Sequence, residues 1–180
     1  MKFYIETSRL ILRDFQEYDL DSFYELDSDP LVHTYLGNNP VLDKNIALET
    51  IYKVQKQYEE FGIGRWSTIE KSSGNFIGWS GLKFLNDDWA KYTKQYDVGY
   101  RLMPKYWGKG YATEASLAAL EFGFTTLNLK EIIGTANIEN KASIRVLEKC
   151  GLKHVEPFKW KDIDCYCLKI TKEDWESQQI

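Results

Sequence analysis

The stretch 100–115, YRLMPKYWGKGYATEA, places the tightest limit on what this chain can fold into. Strand-like residues run to Met103 and stop at Pro104. Glycines follow at Gly108 and Gly110, and an alanine-rich segment of helical character begins at Tyr111. A strand that feeds a glycine turn at a helix N-terminus makes an anion site. The first backbone N–H groups of a helix have no internal partner, and the macrodipole puts partial positive charge at that end. Glycines at alternate positions let the backbone curl until successive N–H groups face one concavity able to hold a pyrophosphate, with Lys105 and Lys109 adding charge nearby. The same spacing also describes a plain tight turn. It is not a Walker loop, because the Gly-Lys-Ser/Thr ending is missing. Nor is it a dinucleotide fingerprint, because the third glycine and the later acidic residue are absent.

The rest of the chain supplies a sheet and helices around this turn. Ser8 to Phe15 alternates around Leu10 and Leu12 and predicts a first strand; Asp19 or Asp21 then caps a short helix that Asp29-Pro30 breaks. An apolar-patterned segment runs from Leu31 to Leu36, before the turn cluster Gly37 to Pro40. Ala47, Ile51, Val54, Tyr58 and Phe61 recur at helical spacing up to a stop at Gly62. Strands are predicted over Gly64–Glu70 and Asn75–Phe84 around the turn 71–74, then over Tyr96–Met103 after a polar loop 86–95. A helix over Tyr111–Leu127, a strand over Glu131–Ala136, a helix over Asn140–Cys150 and two strands, Leu152–Phe158 and Ile163–Ile170, precede a polar tail. This order predicts the α+β class, a mixed sheet with helices packed on it, in a single domain spanning 1–180.

Charge and composition narrow the guests. At 180 residues the chain buries a core without disulfides or metals, and 43% hydrophobic with 28% charged residues is ordinary for a soluble globular protein. No apolar run reaches the ~18–20 residues of a membrane span, and the N-terminus lacks a secretory pattern, so the expected address is the cytoplasm, with no membrane partner. A net charge of −4 argues against nucleic acid as partner. Between Arg101 and Lys153, however, eight basic residues face five acidic ones, while the remainder carries 15 against 22. That asymmetry suits an anionic cofactor on one face and a cationic substrate on another. Cys150, Cys165 and Cys167 fit neither a redox pair nor a zinc knuckle and read as reduced thiols; His33 and His154 stand apart from ligand-like partners, so no metal is expected.

A second constellation lies downstream. Asn140 suits an N-cap and Gly151 the residue after a helix, and between them run Asn140-x-x-Ser143 and Lys149-x-Gly151-Leu152. Paired with Lys105-x-x-Gly108-x-Gly110, these residues resemble the GCN5-related N-acetyltransferase (GNAT) superfamily. Thr7-x-Arg9-Leu10-x-Leu12-Arg13, the string Tyr106 to Ala115 and Asn140-x-x-Ser143-x-x-Val146-Leu147 are similar, within it, to the ribosomal-protein N-terminal acetyltransferase branch (RimJ/RimL type). The resemblance implies a six- to seven-stranded, mostly antiparallel sheet splayed between its fourth and fifth strands, acetyl-CoA as cofactor and a homodimer by analogy.

It also implies roles for residues. The pyrophosphate would rest on the backbone of Lys105, Tyr106, Trp107, Gly108, Lys109, Gly110, Tyr111 and Ala112. The pantetheine arm would pair with Tyr100, Arg101, Leu102 and Met103, and Asn137 and Asn140 would lie along the cofactor. Lys105 stands where the family carries Gln or Arg. Amine acetylation requires a base, and Asp97 is the carboxylate on the strand entering the loop. A backbone N–H near Arg101 or Leu102 would stabilise the oxyanion. Seven residues after Asn140, where many members carry the tyrosine acid, stands Leu147, which leaves Ser143 as the substitute. Among six Trp and twelve Tyr, the residues Trp66, Trp79 and Tyr100 are candidates to line an amine tunnel, with Asp29 as a further substrate contact. The implied reaction is acetyl transfer to a primary amine, first a protein N-terminal amine. The alternatives are a polyamine or aminoglycoside, or a non-catalytic acyl-CoA binder.

Overall fold

The computed structural model describes residues 3–86 and 92–178, so residues 87–91 of the expected loop 86–95 lie outside the described residues. Strands β1 (Tyr4–Glu6) and β2 (Leu10–Arg13) form an N-terminal hairpin, followed by a short 3-10 turn at Glu17–Asp19 and the helices α1 (Leu20–Ser28), α2 (Pro30–His33) and α3 (Lys44–Phe61). The chain continues through β3 (Trp66–Glu70), β4 (Phe76–Phe84) and β5 (Tyr96–Leu102) into α4 (Tyr111–Thr125) and β6 (Glu131–Asn137). It closes with α5 (Lys141–Lys149), β7 (Lys153–Trp160), β8 (Ile163–Thr171) and α6 (Lys172–Ser177). The sheet has eight strands in the order β1-β2-β3-β4-β5-β6-β8-β7, antiparallel except for the parallel neighbours β5 and β6.

Three expectations are corrected. The sheet gains β1, three residues whose strand character comes from pairing Tyr4 to Glu6 with Arg13 to Ile11 rather than from any periodicity of their own. The tail folds into α6 because the Thr171 side chain accepts from the Asp174 N–H, capping a turn that composition alone presents as polar. Asp19 does not cap α1 with its side chain; its carboxylate instead takes a bidentate pair from Arg13 at 2.6 and 2.8 Å and a hydrogen bond from Ser67 at 2.9 Å.

Helices α1, α3, α4 and α5 arise where the pattern placed them, whereas α2 forms in the segment after Asp29, where the sequence showed only a break and an apolar pattern. In α3 the buried Ala47 and Ile51 and the half-buried Val54, Tyr58 and Phe61 share one face; Asp43 caps its start by accepting from Asn45, and Gly62, at φ +66°, ends it. Alternation along β5 sorts the helices into two layers. Arg101 reaches Asp27 of α1, whereas Tyr100, pointing to the other face, reaches Ser143 of α5. Helix α4 crosses β4 and β5 and leans on α5, with Ala115, Ala119, Leu120 and Phe124 fully buried against the sheet. Burying each large apolar side chain in this layer contributes ~1.5–3 kcal/mol, which fixes α4 and therefore the turn that opens it.

Among the described residues, no helix is long and apolar enough to cross a membrane. The three cysteines are free and buried, and burial pushes the thiols up, to about 12 for Cys150 and about 11 for Cys165, so they are poor nucleophiles.

Candidate active site

The site forms where β5 stops pairing. On one side β5 is zipped to β4 from Tyr96 opposite Phe84 to Leu102 opposite Gly78. On the other, its register with β6 is confined to Asp97 opposite Ile133, and from there the two parallel strands part. The backbone of 98–102 therefore presents groups on its β6 side that the sheet does not use, and unused buried backbone groups call for a partner. This splay falls between the strands that the sequence counted as fourth and fifth.

Beyond the splay the chain makes a 3-10 turn at Pro104–Tyr106 and enters α4 through Gly108 (φ +72°) and Gly110 (φ +82°). Gly110 is the N-cap of α4 and provides no side-chain cap. A Cβ at Gly108 would meet nothing within 4 Å, so the space beside this residue is open. Open space beside Gly108, positive φ at both glycines and an uncapped helix of 15 residues fit a pyrophosphate held by backbone N–H groups.

Outside braces hold the loop in place. Arg9 donates to the Lys109 carbonyl at 2.9 Å and lies over the Tyr111 ring at 4.5 Å. Glu114, in the first turn of α4, accepts from the Thr7 and Ser8 hydroxyls, the Arg9 N–H and the Arg9 guanidinium at 2.6–3.0 Å. The N-terminal phrase Thr7-x-Arg9 is thereby tied to the glycine loop, 100 residues away. The expected loop side chains point elsewhere. Lys105 pairs with Glu25 of α1 at 3.2 Å, Lys109 lies over the Tyr106 ring at 5.1 Å, and Tyr106 is buried. The Trp107 indole donates to the Leu102 carbonyl at 2.6 Å, which leaves the nest to the backbone. Ala112 is half-buried, packed against the core. Met103, also buried, donates its N–H to the Ile77 carbonyl at 3.0 Å, so it closes the β4 side of the strand end.

On the α5 face, the Tyr100 hydroxyl lies 2.9 Å from both the Ser143 hydroxyl and the Ser143 carbonyl, and burial pushes the phenol well above its ordinary range. Sequence reasoning treated Tyr100 as a wall of an amine tunnel and Ser143 separately; the structure makes them one hydroxyl pair. Asn140 accepts from the Ser143 N–H at 3.0 Å and so spends its side chain as the cap of α5. Asn137 is similarly engaged, accepting from the Glu139 N–H at 2.8 Å and reaching the Tyr35 carbonyl at 3.5 Å.

The α1 face of β5 is ionic. Asp97 is 6% exposed, and one carboxylate oxygen is held by the Arg65 guanidinium while the other is sealed from solvent. Burial raises the Asp97 pKa against the opposing pull of Arg65. Arg65 also donates to the Asp97 and Gly81 carbonyls, and it crosses β5 at Gly99, where a Cβ would stand 2.6 Å from Nη2. Arg101 pairs with Asp27 at 2.6 Å, and Trp79 is half-buried beneath both guanidinium groups, 5.1 Å from that of Arg101 and 5.5 Å from that of Arg65. His33, expected to stand apart, is buried within electrostatic reach of Arg101 and Asp27. Asp29 caps α2 by accepting from Leu31 at 2.9 Å. Trp66 is the clear misplacement: it is 0% exposed and packs on Phe3 and Phe122 in the α4 layer, because an indole on a central strand finds apolar neighbours there.

A cavity of about 420 Å³ opens at the end of β6, bordered by Asn137, Glu139, Asp162 and Asp164 on one side and by Thr34 and Asn38 on the other. None of its lining residues is basic, although Lys159 lies 3.6 Å from Asp164. Neither the α2–α3 connection nor the β7–β8 hairpin carried a sequence signal for this site.

Comparison with known proteins points one way. Residues 9–153 match the acetyltransferase (GNAT) domain. The uncharacterized N-acetyltransferase p20 of Bacillus licheniformis is 30% identical over 175 residues, covering 94% of this chain and 96% of p20. A GNAT-family acetyltransferase from Bacillus anthracis superposes with a TM-score of 0.78 at 28% identity, over 95% of this chain and 99% of that one. The spermidine N-acetyltransferase of Vibrio cholerae, solved with CoA and spermine, shares the fold at a TM-score of 0.74 and 21% identity, over 94% and 99% of the two chains.

Proposed function

The chain belongs to the GNAT acetyltransferase family, whose acyl donor is acetyl-CoA, and on that premise we propose that it acetylates a small primary amine bearing more than one positive charge. The observation that carries this reading is the cavity at the end of β6, walled by Glu139, Asp162 and Asp164 with no basic lining residue. An ammonium group is drawn into such a site and oriented by it, while a second cationic centre finds a further carboxylate. The spermine bound to the Vibrio cholerae structural neighbour is chemistry of the same kind.

Each part of the site then has a task. The backbone of Lys105 to Ala112 holds the pyrophosphate, and the strand 100–103 orients the pantetheine along the splay. Acetyl-CoA supplies the acyl group as a thioester, so that a C–N bond forms as the C–S bond breaks. The paired hydroxyls of Tyr100 and Ser143 stand ready to deliver a proton to a departing sulfur on the α5 face. Asp97 fixes Arg65 at the floor of the splay, and the ion pair of Arg101 with Asp27 shapes the acceptor side.

Free-thiol release from acetyl-CoA, followed with spermine, spermidine, an aminoglycoside and a peptide with a free N-terminus, tests the reading. Turnover of the polyamines is expected, with KM rising at least tenfold in the double variant Glu139→Gln/Asp162→Asn and little change in kcat. Preference for the peptide would place the chain with the ribosomal-protein N-terminal branch and overturn the polyamine assignment. Ser143→Ala and Tyr100→Phe should each lower kcat about tenfold or less while leaving acetyl-CoA affinity unchanged.

A further inference from the structure

The closed end of the splay is the pair Asp97 with Ile133, and just beyond it each strand carries a glycine. Gly134 follows Ile133 on β6, and Gly99 stands two residues past Asp97 on β5. A strand glycine leaves a hollow beside the backbone, and here the two hollows are filled from opposite faces of the sheet. On the α1 face the Arg65 guanidinium lies over Gly99, where a Cβ would stand 2.6 Å from Nη2, 2.9 Å from Cζ and 3.3 Å from Nη1. On the other face Leu147 of α5 covers Gly134, where a Cβ would stand 2.7 and 3.2 Å from its two methyl groups. Neither cover is free to swing aside. Arg65 is held by the Asp97 carboxylate, donates to the Gly81 carbonyl and donates to the Asp97 carbonyl at 2.7 Å. Leu147 is 1% exposed, and a close-packed interior yields only at a cost.

We propose that Arg65 and Leu147 are the stops that set the acyl length of the donor, so that the site takes acetyl and rejects butanoyl and longer chains. The inference rests on the donor placement above, with the pyrophosphate at 105–112 and the pantetheine arm along 103 to 100. An arm that runs in that direction brings its acyl end to the closed end of the splay. Acetyl ends in a single methyl group. Each methylene added to it must enter between the two covers or displace one of them, and overpacking a filled interior is destabilising.

Calorimetry with free CoA, acetyl-CoA, butanoyl-CoA and hexanoyl-CoA tests this without any acceptor amine, so it decides the matter even where no amine is acetylated. The parent should bind acetyl-CoA about as well as free CoA, and butanoyl- and hexanoyl-CoA at least tenfold more weakly. Hexanoyl-CoA bound within threefold of acetyl-CoA overturns the proposal and leaves the donor placement standing. Failure of free CoA itself to bind removes the placement and the proposal together. Leu147→Ala should narrow the gap between hexanoyl- and acetyl-CoA at least fivefold. Truncating a buried leucine weakens the fold, so Arg65→Lys is the second variant. Lysine keeps a charge opposite Asp97 but lacks the planar fork that covers Gly99, and it should narrow the gap at least threefold. If the variants fold, as circular dichroism reports, and keep the selectivity of the parent, other residues limit the chain and the proposal fails.

Discussion

Two helix N-termini lie close to the site, and the chain finishes them in opposite ways. Helix α5 closes itself: Asn140 turns its side chain onto the Ser143 N–H at 3.0 Å. Helix α4 begins at Gly110 with no side-chain cap, and the acidic residue of its first turn, Glu114, is drawn away to Thr7, Ser8 and Arg9. A terminus that satisfies its own N–H groups serves the fold. One that is left open and braced from outside costs stability alone and recovers it when an anion arrives. The difference therefore separates structural from ligand-binding roles in two segments that both look like helix starts in the sequence.

The comparison breaks most completely if the open terminus is distorted. Gly110 sits at φ +82°, and Gly110→Val places a β-branched residue there at a cost of ~1–3 kcal/mol, which the loop relieves by leaving its curled geometry. Acetyl-CoA affinity measured by calorimetry should fall at least tenfold. Unchanged affinity would mean that the nest is not built by this backbone.

The brace is the next target. Burial pushes the Glu114 pKa up, but hydrogen bonds from Thr7, Arg9 and Ser8 outweigh it and hold the group below the ordinary range. A folded pKa below the unfolded one gives stability that is complete above the unfolded value, about 4.3, and is lost as pH falls through the folded one. Glu114→Gln should cost about 1–2 kcal/mol in urea denaturation at pH 7, and the gap from the parent should narrow below about pH 4. A loss of the same size at both pH values would show that the charge contributes nothing.

Local features carried the parts of this site that were legible in the sequence. Gly108, Gly110 and Asn140 announce themselves because positive φ and capping depend on residue type and near neighbours, and the strand before Pro104 stands out for the same reason. The rest depends on pairing across the chain. Arg65 meets Asp97 over 32 residues, Arg101 meets Asp27 over 74 and Tyr100 meets Ser143 over 43, and no periodicity marks such partners. Thus Asp97 looked like an available carboxylate until the structure supplied its guanidinium. Trp66 and Trp79 are the same residue type on neighbouring strands, yet one fills the α4 layer and the other lies beneath two arginines. Which side of the sheet each faces is set by register, and β-bulges such as the one between Thr68 and Ile69 make register hard to read from sequence.

The smallest expected effect tests the closed terminus. Asn140→Ala removes the acceptor for the Ser143 N–H and should destabilise the protein by about 1 kcal/mol in urea denaturation, the usual loss for an N-cap. Acetyl-CoA affinity should stay within twofold, because the side chain is spent on the helix. Turnover should fall modestly, since Ser143 is the first residue to shift when the turn frays, and its hydroxyl is held 2.9 Å from that of Tyr100. Asn140→Asp should restore both stability and turnover, as aspartate caps equally well. If Asn140→Ala instead weakens acetyl-CoA binding tenfold while leaving stability intact, Asn140 contacts the cofactor, and α5 joins α4 as an N-terminus kept for a ligand.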